Sequence, residues 1–173
     1  MIKFQDKYRI ESTGLKDWDY SIPWWYYITV NTKDHKEYFG EIVDSKMQLS
    51  EMGIICEKCW NEIPLNYSNV ELDYYVIMPN HVHGIIIINS IVKTGHAPSL
   101  QTLPNSLSNI LGSFKSAVTK KVHCLGESVF GWQERFYDRI IRNERELFEI
   151  RKYIDLNPLK WEIEKHDHDN LTL

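Results

Sequence analysis

The chain has 173 residues, of which 43% are hydrophobic and 13% aromatic, a composition that suits one folded domain and excludes a disordered chain. Its 20 basic and 24 acidic side chains leave a net charge of −4, so any attraction to nucleic acid has to come from local charge and not from the sum. No apolar run is long enough to span a bilayer and no signal-peptide core follows Met1, so a cytoplasmic protein with no membrane partner is expected. One domain is expected over 1–173, with terminal extensions at about 1–20 and 162–173 and a loop at 90–106.

The first element is IPWWYYITVNT (22–32), whose aromatic and β-branched residues predict a strand. KDHKE makes a turn, and YFGEIV is expected to pair with the first strand as a hairpin. Residues 49–63 place Leu49, Met52, Ile55 (or Cys56), Cys59 and Ile63 on one helical face, and Pro64 is expected to stop that helix. Cys56 and Cys59 form a lone C-x-x-C. A structural zinc site needs a second pair or nearby histidines, so these read as buried thiols. Residues 69–78 and 81–88 are strands joined tightly through Pro79-Asn80. A loop rich in Ser, Asn, Pro and Gly follows.

Residues 106–123 predict an amphipathic helix with Leu107, Ile110, Leu111, Phe114, Val118 and Val122 inward. Lysines and hydroxyls occupy its other face. The stretch 112–142 carries six basic and three acidic groups, the one net-positive region of the chain. Lys115, Lys120, Lys121, Arg135, Arg139 and Arg142 are its candidate contacts to an anionic backbone. Residues 130–142 read as a loop leading into a strand. Asn143 then caps the last helix, with Glu146 completing a capping box. The order β-β-α-β-β-α-β-α suits an α+β fold with helices packed on a mainly antiparallel sheet.

Two stretches carry the chemistry. In VIMPNHVHGIIII, strand alternation points His81 and His83 to one side and Val82 to the other, at a spacing that lets two imidazoles share one metal ion. In NERELFEIRKYIDLNPLKW, Leu147, Ile150 and Ile154 form the buried stripe. Tyr153 and Asn157 are about 40° apart on the helix and project together. Pro158 is expected to end or kink the helix, leaving Asn157 in a terminal turn. Separately, a histidine pair, a tyrosine and a C-capping asparagine are all ordinary. Together they offer two imidazoles and an amide oxygen, with a phenol one turn away. Asp138 is a candidate to orient a ligating histidine, since such rings usually donate their second N–H to a carboxylate or carbonyl.

MPNHVHGIII, SFKSAVTKK and WQERFYDRIIRNERELFEIRKYIDLNPLKW, in that order and spacing, resemble the REP-associated tyrosine transposases. These are proteins of single-strand DNA with the HUH motif (His, hydrophobic residue, His). The resemblance implies a ferredoxin-like antiparallel sheet with the HUH strand central and the tyrosine helix laid across it. It further implies a metal held by His81, His83 and Asn157, Mg²⁺ or Mn²⁺, and Tyr153 as nucleophile. The activity implied is nicking and strand transfer on hairpin-forming or single-stranded DNA through a 5′-phosphotyrosine, by a monomer or homodimer. The alternative is a domesticated hairpin-DNA-binding protein that does not cut.

Overall fold

A computed structural model of the chain describes residues 18–90 and 106–170, with side chains to 165, and the backbone of two short paired strands, β1 (Lys3–Phe4) and β2 (Lys7–Tyr8). Most of the expected loop at 90–106 lies outside the described residues.

Alternation in WYYITVN builds β3 (Trp25–Asn31), with Tyr26, Ile28 and Val30 on one face and Tyr27, Thr29 and Asn31 on the other. A hairpin, β4 (Gly40–Val43) and β5 (Lys46–Leu49), precedes α1 (Glu51–Asn61) and the one-turn α2 (Ile63–Asn66). Then come β6 (Val70–Met78), β7 (His81–Ile88), α3 (Leu107–Cys124), β8 (Tyr137–Ile140) and α4 (Glu144–Asn170). The main sheet is antiparallel in the order β6-β7-β3-β8. Read as β3-α1-β6-β7-α3-β8, this is the βαββαβ arrangement of ferredoxin-like folds, with the histidine strand β7 central, as the resemblance implied.

The sheet separates two apolar layers. On one side Tyr26, Ile28, Val30, Val82 and Ile86 pack against Trp60 of α1 and the inward stripe of α3, including Leu107, Ile110, Phe114 and Val118. Gly84 is required here, because a Cβ would lie 2.3 Å from Trp60 Cζ2. On the other side Tyr27, Ile85, Ile87 and Ile141 pack against Ile150 and Ile154 of α4. Cys56 and Cys59 are buried and unpaired, and no His/Cys/Asp/Glu group of three or more suited to a metal occurs among the described residues. No described helix is long and apolar enough to cross a membrane.

Several local expectations are corrected. The strand of YFGEIV pairs with Lys46–Leu49 and not with β3. Asp44 and Ser45 adopt φ of 50° and 58°, the double left-handed geometry of a tight hairpin turn, in a sequence lacking the usual Asn-Gly signal. Ser50 caps α1 by accepting from the Gly53 N–H, so Leu49 belongs to β5. Pro64 opens α2, where its missing N–H costs nothing, instead of ending the chain's helical path. α4 does not end at Pro158: it runs on to Asn170.

Candidate active site

β7 and β3 are paired so that His83 faces Thr29 and His81 faces Asn31 across the ladder. Their side chains emerge on the α4 side of the sheet. His83 Nδ1 lies 2.8 Å from both the Tyr27 hydroxyl and Thr29 Oγ1. His81 Nδ1 is 2.6 Å from Asn80 Oδ1, while Asn80 Nδ2 donates to the His35 carbonyl at 3.1 Å. That second bond fixes the orientation of the amide, so Asn80 Oδ1 accepts and His81 Nδ1 carries the proton. His81 Nε2 is therefore bare. It points at His83 Nε2, 3.0 Å away. Burial pulls the His81 imidazole down to about 4, helped by His35. Burial, with His81 adding to it, pulls His83 down to about 3. Both rings are neutral at physiological pH, the form that ligates metals.

α4 brings the remaining groups. The ring of Tyr153 stands edge-on to His83 at 5.4 Å between centroids, and to Tyr27 at 6.3 Å. Two turns later Trp161 packs on His81 at 5.8 Å. Asn157 is one turn from each, so the helix presents it between the two contacts. It is 6% exposed, and its carboxamide makes no hydrogen bond to another described residue. Tyr153 is 42% exposed, with Lys160 Nζ 5.5 Å from its ring centre. A cavity of about 480 Å³ opens beside His83, Tyr27, Thr29 and Tyr153, with Arg139 and Glu149 at its wall.

These residues fit a divalent cation. Two ligands about 2.1 Å from one cation and about 90° apart would themselves be separated by about 3.0 Å, the Nε2–Nε2 distance found here. The hydroxyls of Tyr27 and Thr29 can each accept a hydrogen bond from His83 Nδ1–H, which leaves its Nε2 free as well. Burial holds the Tyr27 phenol well above its ordinary range, so that hydroxyl stays protonated and available as a hydrogen-bonding partner. The buried Asn157 amide is the third available donor.

The site thus gathers His81, His83, Tyr153 and Asn157 within one chain, but not every residue expected near it. Asp138 pairs with Ile28 in the β3–β8 ladder and so points to the opposite side of the sheet. Its partner is the Tyr20 hydroxyl, and burial raises its carboxyl. The side chains that hydrogen-bond the histidine rings are instead Tyr27, Thr29 and Asn80. Their signal in the sequence was the polar half of the alternation in WYYITVN and the residue before His81.

The basic candidates divide similarly. Arg139 lines the cavity, bonded to Glu146 at 2.6 Å. Arg142 is exposed at the start of α4, and Arg135 is exposed in the preceding segment. Lys115, Lys120 and Lys121 belong to α3, in the layer behind the sheet. Lys115 Nζ donates to the carbonyls of Gln133 and Glu134, and Lys121 pairs with Glu62 at 2.9 Å. Lys160, beside Tyr153, was not singled out from the sequence. Among the aromatics, Tyr26 is in the core, Trp132 and Trp25 are half-buried, and Trp24 is exposed.

No family model matches the chain. A protein of Haemophilus influenzae described as uncharacterized is 36% identical over 160 residues, covering 87% of this chain and 89% of that protein. The chain belongs to the same family as that protein. Among solved structures, a REP-associated tyrosine transposase bound to a REP hairpin aligns with a TM-score of 0.61 at 19% identity, over 85% of this chain and 73% of that one. The family's fold is therefore that of the REP-associated tyrosine transposase, with four antiparallel strands and helices on both faces.

Proposed function

We propose that the chain is a metal-dependent, transposase-like enzyme that nicks single-stranded or hairpin-forming DNA and transfers the cut strand through a 5′-phosphotyrosine on Tyr153. The observation that supports this most is the meeting of two neutral imidazoles, their Nε2 atoms 3.0 Å apart, with the ring of Tyr153 5.4 Å from His83. His81, His83 and Asn157 would hold the cation. When bound, Mg²⁺ or Mn²⁺ would withdraw charge from the phosphate's non-bridging oxygens.

The chain's own residues account for the rest. Tyr153 Oη attacks phosphorus and loses its proton. The bond from phosphorus to the 3′-oxygen breaks, and that oxygen leaves as a 3′-hydroxyl after taking up a proton. One ester replaces another, so a second 3′-hydroxyl can reverse the step without any energy source. Tyr27, Thr29 and Asn80 keep both rings aimed during the reaction. Lys160, its Nζ 5.5 Å from the Tyr153 ring centre, brings positive charge to the border of the site, which suits a phosphodiester.

The test is incubation with hairpin DNA carrying a single-stranded flank, with Mn²⁺ or with chelator. The expected result is an SDS-stable protein–DNA adduct that needs the cation and vanishes in Tyr153→Phe while DNA binding persists. Binding without any adduct across such substrates would instead support the domesticated reading, and an adduct in Tyr153→Phe would remove Tyr153 as the nucleophile.

A further inference from the structure

A second cavity, about 530 Å³, lies at the far end of the sheet, between Trp24 and Trp25 at the start of β3 and Arg142 and Asn143 at the start of α4. We propose that it is a subsite for one unpaired nucleobase of the strand whose phosphate reaches Tyr153. This proposal rests on the DNA reading above and adds where the strand runs.

Three observations carry it. The first is the platform. Trp24 is 40% exposed, yet it is fixed: its indole N–H donates to the Ile141 carbonyl at 2.7 Å, and Trp18 stands edge-on to it at 6.1 Å. An exposed tryptophan held in one orientation loses little entropy when a base stacks on it. Because the indole sits in a recess, it can be met by a splayed-out base but not by the edge of a duplex.

The second is continuity. Arg142 lines this cavity and also the next one, beside Asp138. That next cavity shares Tyr137, Arg139 and Glu146 with the cavity at His83 and Tyr153. The three recesses thus form one track along the start of α4. From Asn143 to Tyr153 the helix advances roughly 15 Å at 1.5 Å per residue. A stacked strand would cover that with roughly four to five nucleotides at about 3.4 Å each, and an extended one with fewer.

The third is charge. Arg139 is neutralised by Glu146, and Glu144 also lines the Trp24 cavity. In a chain of net charge −4, the track offers little surplus positive potential, so stacking has to supply much of the grip.

The experiment titrates full-length protein into two fluorescein-labelled probes and reads anisotropy. One is an oligothymidine of about twelve nucleotides, within the span of known single-strand sites. The other is the same length of dA·dT duplex. All proteins carry Tyr153→Phe, so that binding is read apart from cleavage. Trp24→Ala should weaken the single strand about tenfold and leave the duplex unchanged, and Trp24→Phe should restore binding to within about twofold. Arg142→Gln should weaken the single strand too, which guards against a folding defect peculiar to the tryptophan. If Trp24→Ala binds the single strand as tightly as its parent, or loses both probes equally while Trp24→Phe fails to rescue, the subsite is refuted and the catalytic reading stands. If the parent binds no single strand at all, both fall.

Discussion

The two faces of the sheet differ in kind. Behind it, Val82, Gly84 and Ile86 of the histidine strand meet Trp60, Phe114 and their neighbours in a dry layer. In front, His81 and His83 of the same strand meet hydroxyls, an amide and the tyrosine of α4. These five residues of one strand therefore serve two purposes, divided by the pleat. The rear layer holds the strand still, and the front layer uses that rigidity to keep two ring nitrogens at ligand spacing. Stability and chemistry should consequently respond to different substitutions.

The sharpest way to separate the faces is His83→Ala. It should lower Mn²⁺ affinity by more than about 100-fold, measured by calorimetry, while the protein stays folded. Ile86→Ala acts from behind and should cost about 2–5 kcal/mol of unfolding free energy, with the folded fraction still binding one Mn²⁺. Thr29→Val and Asn80→Ala test the groups that aim the imidazoles. Each should weaken Mn²⁺ binding by about 10–100-fold with ligands intact, and denaturation midpoints should move far less than for Ile86→Ala. The smallest effect is expected for Lys121→Ala. Its ion pair with Glu62 is substantially exposed and lies behind the sheet, so stability should change by less than about 1 kcal/mol and DNA affinity hardly at all. A large loss of DNA binding there would mean that the rear face also carries the ligand.

Periodicity made much of this legible. The histidine strand, its two faces and the helix that carries Tyr153 and Asn157 on one side all follow from patterns of two and 3.6, while the strand's central place was implied by the resemblance. What sequence spacing lacked was register. Nothing in FYDRII says whether Asp138 or its neighbours Tyr137 and Arg139 will face the histidines, and the pairing of Ile28 with Asp138 decides against the carboxylate. Pro158 misled for an energetic reason. A proline inside a helix costs about 3 kcal/mol, but Ile154 and Trp161 pack on either side of it and hold the helix through that break. Asn157 is thereby buried in mid-helix against the site, a more constrained position than the frayed turn its sequence suggested. The β4–β5 hairpin was hidden because Asp44 and Ser45 take a geometry usually signalled by Asn-Gly.

The proposed ligands, His81, His83 and Asn157, include no carboxylate, so a cation held there would keep its full charge for an incoming phosphate. The most direct test of the account is therefore pulsed electron paramagnetic resonance of Mn²⁺ bound to the protein. Nitrogen couplings from two imidazoles are expected, reduced to one in either His81→Ala or His83→Ala. Mn²⁺ that binds with no imidazole coupling, or binds unchanged when both histidines are replaced, would contradict it.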